Sequence, residues 1–174
     1  MALTQKHPLA ETTVHGIEMP GANHLELIDG AIVQSVLALK GWEQSVGNML
    51  MSLPAGSARN VGPGEWLVVG EAGAKLVLNG VMMVDQSHGR TLFRLRGTQA
   101  AQVLMKGVFV DIAGGGFPVG SSANMAFGHL TINLARTGDT QFEILVMRSF
   151  AESLYHDLKV AGREFGLTFA VVDA

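Results

Sequence analysis

The chain has 174 residues, enough for one domain with its own core and no staples. It has no cysteine, which excludes disulfides, thiol catalysis and thiolate metal sites and fits a reducing cytoplasm. A net charge of −3 with dispersed signs excludes the basic footprint of a nucleic-acid or anionic-membrane binder.

Charged residues make up 16% of the chain, against roughly 25% in ordinary soluble proteins, and nine Met accompany them. That composition points to a surface partly covered by another chain. No leader pattern is visible, and every apolar run falls short of the ~18 residues that span a bilayer, so a soluble cytoplasmic protein is expected.

Residues 1–23, punctuated by Pro8, Pro20 and Gly21, read as an irregular arm. Apolar runs on either side of Asp29-Gly30 predict a β-hairpin between residues 24 and 39. Trp42, Val46, Met49 and Leu50 recur at helical spacing. Residues 54–64 read as a turn-rich link and Glu65–Val69 as a buried strand. Residues 71–79 read as a short helix and Val81–Val84 as a strand.

The next segment, 90–96, alternates, with Phe93 and Leu95 on one face and Arg94 and Arg96 on the other. Thr98 is a suitable N-cap for a helix that Gly107 ends. Three strands are expected after Pro118. Leu130, Ile132 and Leu134 share one face, and Phe142, Ile144 and Val146 another, around Thr137-Gly138-Asp139. Ser149 and Glu152 have capping-box spacing and open a helix whose stripe is Phe150, Leu154, Leu158, Ala161 and Phe165. Gly166 stops it, and Leu167–Val172 forms a last strand. Hairpins mixed with helices predict an α+β fold with two-layer, mixed or antiparallel sheets. It divides into the arm 1–23, a smaller lobe 24–86 and a larger lobe 87–174, all in one compact unit.

The residues offer little chemistry. Asp85, Ser87 and His88 contain the residue types of a triad, but Ser87 and His88 are adjacent, and such neighbours diverge in an extended segment. They read instead as a corner that satisfies its own backbone. The six histidines form no two-ligand pair at helical spacing with a nearby carboxylate. Gly62-Pro63-Gly64 and the glycines at 114–116 lack the context of a phosphate loop. Arg90, Arg94 and Arg96 share a strand face with Leu92. Such a row is either a solvated face or a stripe that meets carboxylates of a partner, and it is the candidate interface. Arg136 and Arg148 would extend it if the strands lie side by side.

Two blocks carry a family resemblance. One is Val84-Asp-Gln-Ser-His-Gly-Arg90 with Leu92-Phe-Arg-Leu95, Gly97 and Val103-Leu-Met-Lys-Gly107. The other is Arg136-Thr-Gly-Asp139, Phe142-Glu-Ile-Leu-Val146 and Arg148-Ser-Phe-Ala-Glu152. With Glu65-Trp66-Leu67, they resemble the gamma subunit of heterotetrameric sarcosine oxidase, a relative of the folate-binding domain of the glycine-cleavage aminomethyltransferases. The resemblance runs from about Ala31 to Phe165. It implies an aminomethyltransferase-like fold and a subunit without cofactor. FAD, FMN, NAD, zinc and tetrahydrofolate are then expected in partner alpha, beta and delta subunits. It also implies a complex that demethylates sarcosine oxidatively to glycine.

The aminomethyltransferases carry paired acids in one strand, where Thr131, Ile132 and Asn133 stand here. An uncharged site neither holds a cationic intermediate nor relays a proton, which argues for a non-catalytic subunit. A stand-alone folate-binding or aminomethyltransferase-like protein, or an adaptor of another flavin amine oxidase, are the alternatives.

Overall fold

The computed structural model describes Leu9 and residues 22–70, 78–113 and 115–174. In chain order the elements are β1 (His24–Asp29), β2 (Ile32–Ala38), α1 (Glu43–Leu50), β3 (Ala58–Gly62), β4 (Glu65–Gly70), β5 (Val81–Asp85), β6 (Arg90–Arg96), α2 (Ala100–Met105), β7 (Ser122–Phe127), β8 (Leu130–Gly138), β9 (Gln141–Met147), α3 (Ala151–Gly162) and β10 (Thr168–Asp173). A six-stranded sheet runs β10-β1-β6-β9-β8-β7, and a four-stranded sheet runs β3-β4-β2-β5. Among the described residues, only the β1–β10 pair is parallel.

Strand alternation builds the layers. One face of the larger sheet presents Leu25, Leu27, Phe93, Leu95, Phe142 and Ile144, which bury against Val103 and Leu104 of α2 and Leu154 and Leu158 of α3. Each such side chain contributes ~1.5–3 kcal/mol on burial. The opposite face presents Ile28, Leu92 and Leu145, which pack on Val33, Leu67 and Val69 of the smaller sheet. The smaller sheet's outer face is covered by Val46 and Leu50 of α1, packed on Val36 and Val68. The two sheets are therefore stacked, with helices outside, in the expected α+β class. Among the described residues, no helix is long and apolar enough to cross a membrane.

Several local expectations give way to longer-range pairing. Asp29-Gly30 is not a hairpin turn. Both edges of β1 are taken, by β6 and β10, so the chain crosses at Gly30 (φ 79°) into the other sheet, where β4 and β5 flank β2. For the same reason β1, within the expected smaller lobe by sequence, belongs to the sheet of the larger one. The turn-rich link contains β3, which forms a bulged hairpin with β4. Its apolar pattern is hidden by Arg59, which is completely buried.

The helix expected at 71–79 lies almost wholly outside the described residues, as does most of the arm. Leu9 is buried in the larger core. Thr98 does not cap α2. Its N-cap is Gln99, whose backbone N donates to Asn23 Oδ1 at 2.9 Å while Asn23 Nδ2 donates to Gln99 Oε1 at 2.7 Å. A side chain from a distant segment thus does the work of a local cap. The capping box also fails to form. Ser149 lies in a 3-10 turn, Arg148–Phe150, and α3 begins at Ala151 with no side-chain cap. Phe150 consequently leaves the apolar stripe and is exposed.

Candidate functional site

The corner after β5 behaves as a self-satisfying turn. Asp85 Oδ1 accepts from the Ser87 backbone N at 2.8 Å and from Ser87 Oγ at 2.6 Å. Ser87 Oγ in turn accepts from Val33 N at 3.0 Å, which fastens the corner to β2. These bonds, the side-chain one first, hold the Asp85 carboxyl below its ordinary value. Ser87 is therefore committed to a carboxylate and a strand amide, and His88 stands exposed beside it. Among the described residues, no group of three or more His, Asp or Glu is placed to hold a metal.

The arginine row divides in two. Leu92, between Arg90 and Arg94, is clamped under the smaller sheet and separates them. On one side of it lies a ladder of alternating charge. Glu26, Arg94 and Glu143 are direct cross-strand partners on β1, β6 and β9. Arg94 Nη2 lies 3.1 Å from Glu143 Oε1, and Arg94 Nη1 lies 3.9 Å from Glu26 Oε2. Arg96 Nη2 reaches Glu26 Oε1 at 2.7 Å. The carboxylates met by Arg94 and Arg96 are thus the chain's own.

The ladder ends in the interior at Arg59, which β3 carries in from the other sheet. Its Nη2 donates to Glu143 Oε2 at 2.6 Å, its Nε to Gly56 O at 2.8 Å and its Nη1 to Asn133 Oδ1 at 3.3 Å. Burial pulls the Arg59 guanidinium down to about 10, against the opposing pull of Glu143. It remains charged near neutrality. Asn133 completes the set by donating from Nδ2 to Asn124 Oδ1 at 2.9 Å. The uncharged residue at this position in β8 is therefore spent on holding the two sheets together. A cleft of about 660 Å³ opens over Arg94 and Glu143, walled by Ile28, Ile32, Leu53 and Val69.

Arg90 lies on the other side of Leu92. Its Nε and Nη2 both donate to Gln86 Oε1 at 3.2 Å, and burial lowers its pKa. It lines a second cleft of about 600 Å³, with Glu65, Leu67, Thr131, Met147 and Phe150. Arg136 does not extend the row. It donates to Phe117 O and Asp139 O and lies over the Phe142 ring. Arg148 lines a smaller cleft of about 250 Å³ beside Arg90.

Sequence reasoning passed over Arg59, Glu26, Glu143 and Asn23. Glu26 and Glu143 had a readable signal: a lone charge inside an apolar strand run, as in His24-Leu-Glu-Leu-Ile28 or Phe142-Glu-Ile-Leu-Val146, is rarely buried without a partner. Arg59, between Ala58 and Asn60, lies in no such run. Asn23 had no signal, because its partners are distant in sequence.

Two stacked sheets with outer helices define an α+β domain of the aminomethyltransferase-like fold. Known structures agree. The fold matches heterotetrameric sarcosine oxidase from Corynebacterium sp. U-96, in complex with pyrrole 2-carboxylate, with a TM-score of 0.72 at 23% identity over 86% of this chain and 88% of that one. It also matches the glycine cleavage system aminomethyltransferase T from Bartonella henselae, with a TM-score of 0.59 at 16% identity over 87% of this chain and 48% of that one.

The chain belongs to the sarcosine oxidase, gamma subunit family, which matches residues 24–164. It is 29% identical over 133 residues to the sarcosine oxidase subunit gamma of Corynebacterium sp. strain P-1, and 28% identical over 152 residues to that of strain U-96. The alignments cover 72% and 81% of this chain and 66% and 74% of those relatives.

Proposed function

We propose that this chain is the non-catalytic gamma subunit of a cytoplasmic sarcosine oxidase that demethylates sarcosine oxidatively to glycine, and that it supports assembly of the complex. Alpha, beta and delta subunits are its partners. FAD, FMN, NAD, zinc and tetrahydrofolate belong to those partners in this reading. The observation that carries it is the family match across residues 24–164. The geometry is consistent with it. The interior polar groups Arg59, Glu143 and Asn133 are engaged with one another, so none of the three is held ready as an acid, base or nucleophile.

Three measurements test this reading. The purified chain, given sarcosine and added flavin, should release peroxide at the rate of buffer alone, and turnover above that control would refute the non-catalytic assignment. Co-expressed with companion subunits of a sarcosine oxidase, it should purify with them at fixed stoichiometry. Calorimetric titration with tetrahydrofolate should show no one-to-one binding at micromolar affinity, because Thr131, Ile132 and Asn133 of β8 bring no carboxylate to a pterin edge.

A further inference from the structure

The inner face of the smaller sheet runs on beyond the part buried in the inter-sheet core. On its inner face, direct cross-strand partners form parallel rows. Val33 and Val69 are opposite each other and buried in the inter-sheet core. The next row holds Leu67, Ser35 and Val84, and the row beyond holds Glu65, Leu37 and Met82. Partners directly opposite in an antiparallel pair point to the same side, so the core face continues outward past the point where the larger sheet covers it.

Exposure rises along that path. Leu37 is 40% exposed, Val84 56% and Met82 58%. From the facing layer, Met147 and Phe150, 45% and 48% exposed, line the 600 Å³ cleft together with Ser35, Glu65 and Leu67 of these rows. An apolar sheet face left open opposite two further apolar side chains is a surface built to be covered.

Arg90 identifies the chemistry of the cover. It lies at the base of this cleft, opposite Met147 in the β6–β9 register. Arg59, Arg94 and Arg96 each meet a glutamate of this chain, whereas the bonds of Arg90 go to the neutral amide of Gln86. Asp29 lines the small cleft on its other side, but that carboxylate accepts from Gly30 N. Burial alone lowers the Arg90 pKa, with no carboxylate opposing it. A half-buried guanidinium in a mixed cleft that also holds Leu67, Met147 and Phe150 is complementary to a carboxylate flanked by apolar side chains, and the planar fork of Arg suits two-point binding of such a group. Glu65 also lines the cleft and would repel a carboxylate, so the acidic group of the occupant belongs at Arg90.

We propose that this overhang, with Arg90 at its base, is the docking surface for a companion-subunit segment that presents an Asp or Glu beside aliphatic or aromatic side chains. The proposal rests on the subunit reading above, and its test separates the two. The full chain is co-expressed with the companion subunits and purified through a tag on one of them, and its stoichiometry is measured.

Arg90→Glu and Val84→Asp should each lower the co-purified yield at least about tenfold, and Arg90→Lys should lower it far less. A photoreactive residue at Met82 should cross-link to one companion peptide that contains an acidic residue, and one at Val160 on α3 should not. Melting curves show whether each variant is folded. If Arg90→Glu does not fold, the exposed Val84→Asp and the Met82 cross-link decide. Failure of the unaltered chain to co-purify refutes the subunit reading. Normal co-purification of folded Arg90→Glu and Val84→Asp refutes this surface and leaves the subunit reading intact. A Met82 cross-link to a second copy of this chain likewise refutes the surface.

Discussion

Glu143→Gln probes the bond between the two sheets with the smallest change of shape. Glu143 receives Arg59 on one oxygen and Arg94 on the other. Glutamine preserves the volume and one accepting oxygen but removes the charge. Arg59, with no exposed surface, would then retain only Gly56 O and Asn133 Oδ1 besides that neutral amide. A buried ion pair that loses one partner typically costs about 3–5 kcal/mol, because the remaining charge stays desolvated.

For a chain of this size about 2–4 °C is lost per kcal/mol, so the midpoint of thermal unfolding should fall by about 6–20 °C. Calorimetry or circular dichroism measures it, and urea titration gives the free energy independently. Arg59→Met combined with Glu143→Gln removes both charges that meet across the sheets, and it should be more stable than Glu143→Gln alone. A loss below about 1 kcal/mol in Glu143→Gln, or additive effects in the double variant, would refute the argument that this pair holds the sheets in register.

Other perturbations have equally defined outcomes. Gly97→Ala places a Cβ 2.6 Å from Ala22 O and 2.7 Å from Asn23 Cα at φ 136°, where backbone cannot yield, so a loss of at least about 2 kcal/mol is expected in a urea titration. Asn23→Ala removes the long-range cap of α2 and should cost about 1–3 kcal/mol by the same measurement. The depressed Asp85 carboxyl adds stability that is present above its unfolded value of 3.8 and is lost as pH falls below it, through the lower folded value. Melting profiles of Asp85→Asn should therefore show a shallower acid-side decline than those of the parent chain. Arg94→Glu with Arg96→Glu sets four carboxylates together on β1, β6 and β9, and its melting midpoint should drop even without companion subunits.

The regular part of the fold was legible because it obeys simple periods. Ile132 and Leu134, Phe142 and Ile144, and Leu154 and Leu158 all bury as their spacing requires. What escaped was set by distant partners. Asp29-Gly30 carries a hairpin signal, yet β1 is claimed by Phe93 and Leu95 on one edge and by Phe169 and Val171 on the other. Ser149 and Thr98 have the right chemistry for caps, but neither caps a helix; Asn23 and a 3-10 turn set those starts instead. The arginine row was visible as a row. Its division by Leu92 into an internally paired half and a cleft-facing half required knowing that the other sheet closes over Leu92.

The parallel pairing of β1 with β10 bears on how the molecule is made. His24 and Thr168, hydrogen-bonded to each other across the pair, are 144 residues apart. Loop-closure entropy opposes so distant a contact, and it forms only after the intervening strands have been ordered. On the ribosome, β1 can line up beside β6 but keeps a bare backbone edge until β10 has been synthesised. During that interval the chain resembles an unfinished sheet, able to recruit any passing strand. β10 acts as a clasp on β1, and the larger sheet has all six strands only when translation has passed Asp173.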